Sequence, residues 1–198
     1  MKLTTIAAAA ALLGAASLSA QAGSGFVSMN GGALTLSGNN GAVATPYNLG
    51  TLDTSFTTLF VTVLSSGSFS EFAQFDIPPL YGSTNGASNT YALTITLPGP
   101  TVVTIGSIST FTMEVVSGTP ASPGASVGGP YGAGASFTGL PMSPGTYHLA
   151  FVGSVSGVGG QYSASIQAIP VPEPETYAMM LAGIGAISFV AWRRRRQG

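Results

Sequence analysis

Positive charge is almost absent from this 198-residue chain, which has 5 Lys and Arg residues against 6 Asp and Glu. The basic residues are Lys2 and the run Arg193–Arg196, so residues 3–192 contain no Lys or Arg. Proteins bind nucleic-acid phosphates with Lys and Arg side chains. The charge distribution therefore excludes nucleic acid as a partner of the middle of the chain.

Cysteine is absent altogether, and His148 is the single histidine. The chain can form neither a disulfide nor a thiolate, and it lacks the ligands of the usual His/Cys zinc site. The fold must therefore be stable through its apolar core alone. We expect no cofactor.

The N-terminus has the pattern of a secretory signal peptide. Lys2 precedes an apolar stretch from Ile6 to about Ala16, and the small residues Ala20 and Ala22 flank Gln21. We expect residues 1–22 to be the signal peptide, with cleavage after Ala22.

The C-terminus has the pattern of a membrane-spanning helix with a basic stop. Residues 176–192 are uncharged, and as a helix they would extend about 25 Å, close to the roughly 30 Å of a bilayer core. Tyr177 and Trp192 stand at its two ends, where aromatic rings favour the membrane interface. The run Arg193–Arg196 should stay in the cytoplasm, which places the rest of the chain outside the inner membrane.

The order of these C-terminal features resembles the PEP-CTERM sorting signal of bacterial exported proteins. Val171, Pro172, Glu173 and Pro174 form the motif, the apolar helix follows, and the arginines end the signal. The resemblance implies that an exosortase cuts near the motif and releases the protein from the inner membrane, in a host that makes exopolysaccharide. The prolines predict an extended, accessible segment at the motif. A permanent single-span anchor is the alternative.

Residues 23–169 show the two-residue alternation of strands. The clearest example is TYALTITL (90–97), and similar segments are FTTLFVTVL (56–64), FTMEVV (111–116), TYHLAFVG (146–153) and QYSASIQAI (161–169), with the shorter FVSM and ALTL near the N-terminus. These predict an all-β domain, an antiparallel β-sandwich of jelly-roll type, between the signal peptide and the sorting signal of residues 170–198. The Gly/Pro/Ser-rich residues 117–136 predict a surface loop or disordered insertion.

A second, looser resemblance concerns this exported domain. YNLGTL (47–52), GSFSEFAQFDI (67–77) and GTYHLAFVGSVSGVGGQYSASI (145–166) are similar to the FxDxF family of PEP-CTERM proteins. Glu71 stands at the acidic position of the family motif, and the spacing to the second Phe differs. Because the molecular function of that family is unassigned, this resemblance concerns fold and export.

Candidate catalytic and metal-binding residues are few. Ser126 lies in a G-x-S-x-G pattern, but a nucleophile elbow needs a strand before the serine and a helix after it. His148 has the pattern of a polar residue at a surface or a sheet edge. Glu71 and Asp76 should face opposite sides of a strand, since an odd number of residues separates them. A calcium site using Asp76 or Glu71 is the alternative to a purely solubilising role.

These observations predict an exported, non-enzymatic protein of the cell surface or exopolysaccharide matrix, sorted and cut by an exosortase. Its contact with the inner membrane, through residues 176–192, would be transient. A lectin-like module that binds glycan or calcium is the alternative.

Overall fold

The computed structural model describes residues 25–33, 35–36, 41–96, 102–171 and 174–196, which form twelve strands and a C-terminal helix. Ala20, Ala22, Pro172 and Glu173 lie outside the described residues, and the signal peptide stays a prediction. Sheet 1 contains, in spatial order, β10 (Ser136–Pro141), β6 (Tyr81–Tyr91), β12 (Gly160–Pro170), β4 (Thr57–Val63), β1 (Gly25–Met29) and β2 (Thr35–Leu36).

Sheet 2 contains, in order, β3 (Tyr47–Thr51), β5 (Gly67–Ile77), β11 (Gly145–Gly157), β8 (Val102–Thr119) and β7 (Leu93–Thr96). A sixth strand, β9 (Ser122–Gly132), pairs with the C-terminal half of β8. The predicted all-β sandwich is confirmed. Its antiparallel character has one exception, because β3 pairs with β5 in parallel.

The core lies between the two sheets and is built by strands whose residues alternate between inside and outside. In β12, Tyr162, Ala164, Ile166 and Ala168 are buried, and the residues between them are partly exposed. The same alternation in sheet 2 buries residues of β5 and β11. The inward side chains are Phe69, Glu71, Ala73, Phe75 and Ile77 in β5, and Tyr147, Leu149, Phe151 and Val155 in β11.

The ring of Tyr162, from sheet 1, is the centre of this core. It packs against three rings of sheet 2, with centroid distances of 5.8 Å to Phe69, 5.3 Å to Phe111 and 5.0 Å to Phe151. Gly153 makes room for this cluster, because a Cβ atom there would lie 2.6 Å from the Phe69 ring. The two sheets are thus joined by aromatic packing in a core that has no disulfide.

Three of the segments predicted as strands lie within β8, β11 and β12, and a fourth, residues 56–64, contains β4. FVSM lies in β1, and the last two residues of ALTL, Thr35 and Leu36, form β2. The segment 90–97 is not one strand: β6 ends at Tyr91 in sheet 1, and β7 begins at Leu93 in sheet 2. Its alternation therefore spans a crossing between the sheets at Ala92.

The prediction of a loop or insertion at residues 117–136 is wrong. The end of β8 and the whole of β9 lie there, and they pair through a turn at Thr119–Ser122. Backbone hydrogen bonds to the edge of β8 hold β9 in place, and these need no apolar alternation in the sequence. Gly118, with φ of 76°, adopts a conformation that favours glycine at the bend into this hairpin.

The aromatic core gives a prediction about stability. Phe151→Ala should lower the free energy of unfolding by about 3–5 kcal/mol, because it removes a fully buried ring and leaves a cavity beside Tyr162. The neighbouring Val152→Ala is the control: Val152 is exposed, so the change should stay within about 0.5 kcal/mol. Urea unfolding of the domain measures both. Equal effects of the two substitutions would contradict the assigned faces of β11.

Candidate functional site: the sorting segment and the faces of the sandwich

The C-terminal segment is a helix, α1 (Pro174–Arg195), which contains the predicted residues 176–192. Its stretch Thr176–Arg195 is long and apolar enough to cross a membrane, with a mean hydropathy of 1.2, and no part of it is buried against the sandwich. Pro174 is the first helical residue, a position where the missing N–H costs no hydrogen bond. The helix is thus free to contact lipid.

The sorting segment starts directly at the edge of the fold. Strand β12 ends at Pro170, and the N–H of Val171 donates a hydrogen bond to the carbonyl of Leu80 at 2.7 Å. Val171 also lies against Gly82, where a Cβ atom would be 2.4 Å from Cγ2 of Val171. The predicted extended segment falls on Pro172 and Glu173, outside the described residues; on its two sides, Val171 is held by the sandwich and Pro174 begins the helix.

The predicted membrane stop lies at the end of α1. Arg193, Arg194 and Arg195 occupy its last turn, where positive charge is favoured by the helix dipole. Arg196 follows, and its guanidinium lies 4.0 Å from the centre of the Trp192 ring. Trp192 and Arg196 thus form an aromatic and cationic pair of the kind found at a membrane interface.

A buried polar contact joins the two sheets. Glu71 faces the core from β5 with 1% exposure, and the hydroxyl of Tyr162 in β12 donates a hydrogen bond to its Oε2 atom. Burial raises the pKa of the Tyr162 phenol well above its usual value, and the Glu71 carboxylate and the Tyr47 phenol raise it further. Tyr162 therefore keeps its proton and remains a donor to Glu71. Because Glu71 faces the core, it is not available as a surface calcium ligand.

His148 is not at the surface or at a sheet edge, and that expectation is wrong. It lies in β11, a central strand of sheet 2, with 2% exposure. Its ring packs against Phe72 on the outer face of the sheet, and Nδ1 is 2.9 Å from the carbonyl oxygen of Gly118. The cover comes from the β8–β9 hairpin, which no local sequence pattern near His148 indicates.

The other candidate residues are not assembled into a site. Ser126 lies within β9 and pairs with Val116, which pairs in turn with His148. Two strand spacings, about 10 Å, separate the backbones of Ser126 and His148, and Nδ1 of His148 lies against the Gly118 carbonyl rather than a serine hydroxyl. Asp76 accepts a 2.7 Å hydrogen bond from the Thr146 hydroxyl. In the described part of the chain, no three His, Asp or Glu side chains form a group that could hold a metal ion.

The outer face of sheet 1 is a feature that residue-by-residue inspection of the sequence missed. None of the six strands of sheet 1 contains a charged residue. Its outward positions carry amides and hydroxyls instead. On β12 and β6 these are Gln161, Ser163, Ser165, Gln167, Asn85 and Asn89.

Two aromatic rings lie together on this neutral face. The centroids of Phe60 and Tyr91 are 5.9 Å apart, and the Tyr91 hydroxyl is 3.4 Å from Oγ of Ser163, which lies between them. An open depression of about 380 Å³ adjoins Phe60 and is also lined by Ser28, Gly31, Thr58, Leu59 and Ser163. The alternation of QYSASIQAI could have indicated its outward amides, but only the register brings Tyr91 to Phe60.

Alkaline pH should destabilise the domain through Tyr162. An unfolded tyrosine has a pKa of about 10, and the folded pKa of Tyr162 is higher. Above about pH 10 the unfolded state therefore binds fewer protons, so the free energy of unfolding falls as pH rises. In Tyr162→Phe, the free energy of unfolding should fall less between about pH 8 and about pH 11 than it does in the wild type. Urea unfolding at each pH measures it. Tyr91→Phe, which removes an exposed phenol, should behave like the wild type, and equal falls in all three proteins would contradict the assignment.

Comparison with known proteins agrees with the architecture of the C-terminus. Residues 170–196 match the family model described as the PEP-CTERM protein-sorting motif. The match includes Val171, Pro174 and the four arginines, and the motif implies processing by an exosortase. The chain has no significant similarity to a curated protein or to a solved structure. With its apolar helix and basic end, this chain is an exported protein that carries a C-terminal PEP-CTERM sorting motif.

Proposed function

We propose that the sandwich is a non-enzymatic component of the exopolysaccharide matrix, delivered to the cell surface when an exosortase removes α1. The observation that carries the proposal is the neutral outer face of sheet 1, which spans six strands without a charged residue. Amide and hydroxyl groups exchange hydrogen bonds with water and with sugar hydroxyls alike. Such a face can lie in a hydrated glycan network without ionic crosslinks.

The environment of the candidate catalytic residues supports a non-enzymatic role. Ser126 and His148 lie two strands apart, and the His148 ring is occupied by the Gly118 carbonyl and Phe72. The Glu71 carboxylate faces the core and accepts the Tyr162 hydrogen bond. A paired-carboxylate mechanism with Asp76 would need both groups on one face of β5.

A second candidate function is a lectin-like glycan-binding module, which the depression beside Phe60 favours. Binding sites are concave and combine apolar or aromatic walls with a few polar groups. The depression has Phe60 as a wall and the hydroxyls of Ser28, Thr58 and Ser163 around it. Tyr91, which is 43% exposed, extends the aromatic surface beyond its rim.

Calorimetry against the exopolysaccharide of the host separates the two functions. The matrix proposal predicts no saturable micromolar binding, with or without calcium, because contacts spread over a wide neutral face are individually weak. Saturable binding that Tyr91→Ala removes would contradict it and would establish the lectin-like function. The matched control is Val152→Ala, which removes an exposed apolar side chain on sheet 2, away from the Phe60–Tyr91 pair on sheet 1.

Processing is tested by the intact mass of the protein recovered from wild-type cells. The mature chain should end near Pro172 to Pro174, because the motif lies between the fold and the helix. In cells without the exosortase, the chain should keep α1 and remain in the inner membrane. Recovery from wild-type cells of the form that keeps α1 and the run Arg193–Arg196 would support the permanent anchor instead.

A further inference from the structure

The end of the sandwich from which α1 leaves must lie close to the membrane. Three residues, 171–173, separate the last residue of β12 from the first residue of α1. Extended chain spans at most about 3.6 Å per residue, so Pro170 and Pro174 are no more than about 14 Å apart. The interfacial layer on each side of a bilayer is about 5–8 Å thick. Even at full extension, this end of the fold therefore lies no more than about 10 Å above the headgroup layer whenever α1 spans the membrane, and a less extended linker brings it closer to the lipid.

The turn between β5 and β6 lies at this end and is tied to the exit of the chain. The N–H of Val171 binds the carbonyl of Leu80, and the N–H of Met142 binds the carbonyl of Gly82 at 3.0 Å. These two bonds bring three segments together, namely residues 78–82, 141–145 and 169–171. All of their residues are uncharged.

This end exposes apolar side chains to an unusual degree. Leu80 is 66% exposed and Val171 is 50% exposed, and Pro79, Pro144 and Pro170 around them are exposed as well. Five apolar residues thus form one patch without charge, which we call the exit patch: Pro79, Leu80, Pro144, Pro170 and Val171.

The backbone of Leu80 supports a role for its side chain. Its φ is 75°, in the left-handed region that ordinarily favours glycine or asparagine. A leucine there costs conformational energy and, being exposed, contributes little to the core. A contact between the Leu80 side chain and a surface outside the domain would explain why a leucine occupies this strained and exposed position.

We propose that the exit patch rests on the lipid surface of the outer leaflet while the chain is anchored. The proposal depends on α1 spanning the membrane, as the proposed function does. Because α1 already holds the domain at the surface, the patch needs little affinity of its own. The contact orients the sandwich and holds Val171, the first residue of the sorting motif, at the water–lipid boundary.

The absence of cysteine allows single-cysteine labelling of the full chain. Leu80→Cys and Pro144→Cys would each carry an environment-sensitive fluorophore, in vesicles of phosphatidylcholine and phosphatidylglycerol. Val158→Cys is the matched control, since Val158 is 46% exposed and lies at the other end of β12, about 35 Å away. Gly185→Cys, in the middle of α1, reports whether the helix lies in the bilayer.

The labels at 80 and 144 should have blue-shifted emission and strong quenching by headgroup-attached nitroxide, whereas the label at 158 should be quenched by aqueous iodide. The label at position 144 keeps the test valid if Leu80→Cys alters its turn.

The membrane contact alone would be overturned if iodide quenches the labels at positions 80 and 144 as strongly as the label at position 158 while the label at position 185 lies in lipid. An aqueous label at 185 would overturn the anchoring and with it the contact. If the labels at positions 80 and 144 are protected from iodide only when exosortase is present in the vesicles, the partner of the exit patch is the enzyme, and the proposed contact with lipid is overturned.

Discussion

The hydrogen bond between Tyr162 and Glu71 is the polar contact around which the two sheets are packed. A carboxylate inside a core is costly unless it is paired, and the usual partner is Lys or Arg. Residues 3–192 contain neither, so the Tyr162 phenol serves as a donor instead. The ring that carries this donor also contacts Phe69, Phe111 and Phe151. Aromatic packing and the satisfaction of Glu71 thus depend on the same side chain.

The absence of Lys and Arg from the middle of the chain also determines the charge of the sandwich surface and the position of the basic sorting segment. Sheet 1 has no charged residue in its strands, and the carboxylates of the sandwich strands, Glu71, Asp76 and Glu114, all belong to sheet 2. Positive charge is confined to Lys2 and Arg193–Arg196, next to the two apolar segments. The sorting motif lies between a body without cations and a basic end, and its first residue, Val171, is already part of the fold.

Sequence alternation predicted the parts of the fold in which one side of a strand faces the core. It located β4, β11 and β12, and it placed Glu71 and Asp76 on opposite faces of β5. It could not predict β9, whose Gly- and Pro-rich residues are held by backbone pairing to β8. The burial of His148 was equally hidden, because its cover comes from that hairpin. The C-terminal signal could be predicted from the sequence because its motif, helix and arginines are contiguous. The exit patch could not be, because it combines three segments that are far apart in the sequence.

The central claim is that the cation-free body is delivered outside the membrane while the arginines stay inside. Because the chain has no cysteine, a membrane-impermeant maleimide can test this in spheroplasts of a strain without the exosortase. The account predicts that a cysteine at exposed Val152 is labelled in intact spheroplasts, and that one at Gln197 is labelled only after lysis. Labelling of position 197, but not of position 152, in intact spheroplasts would contradict it.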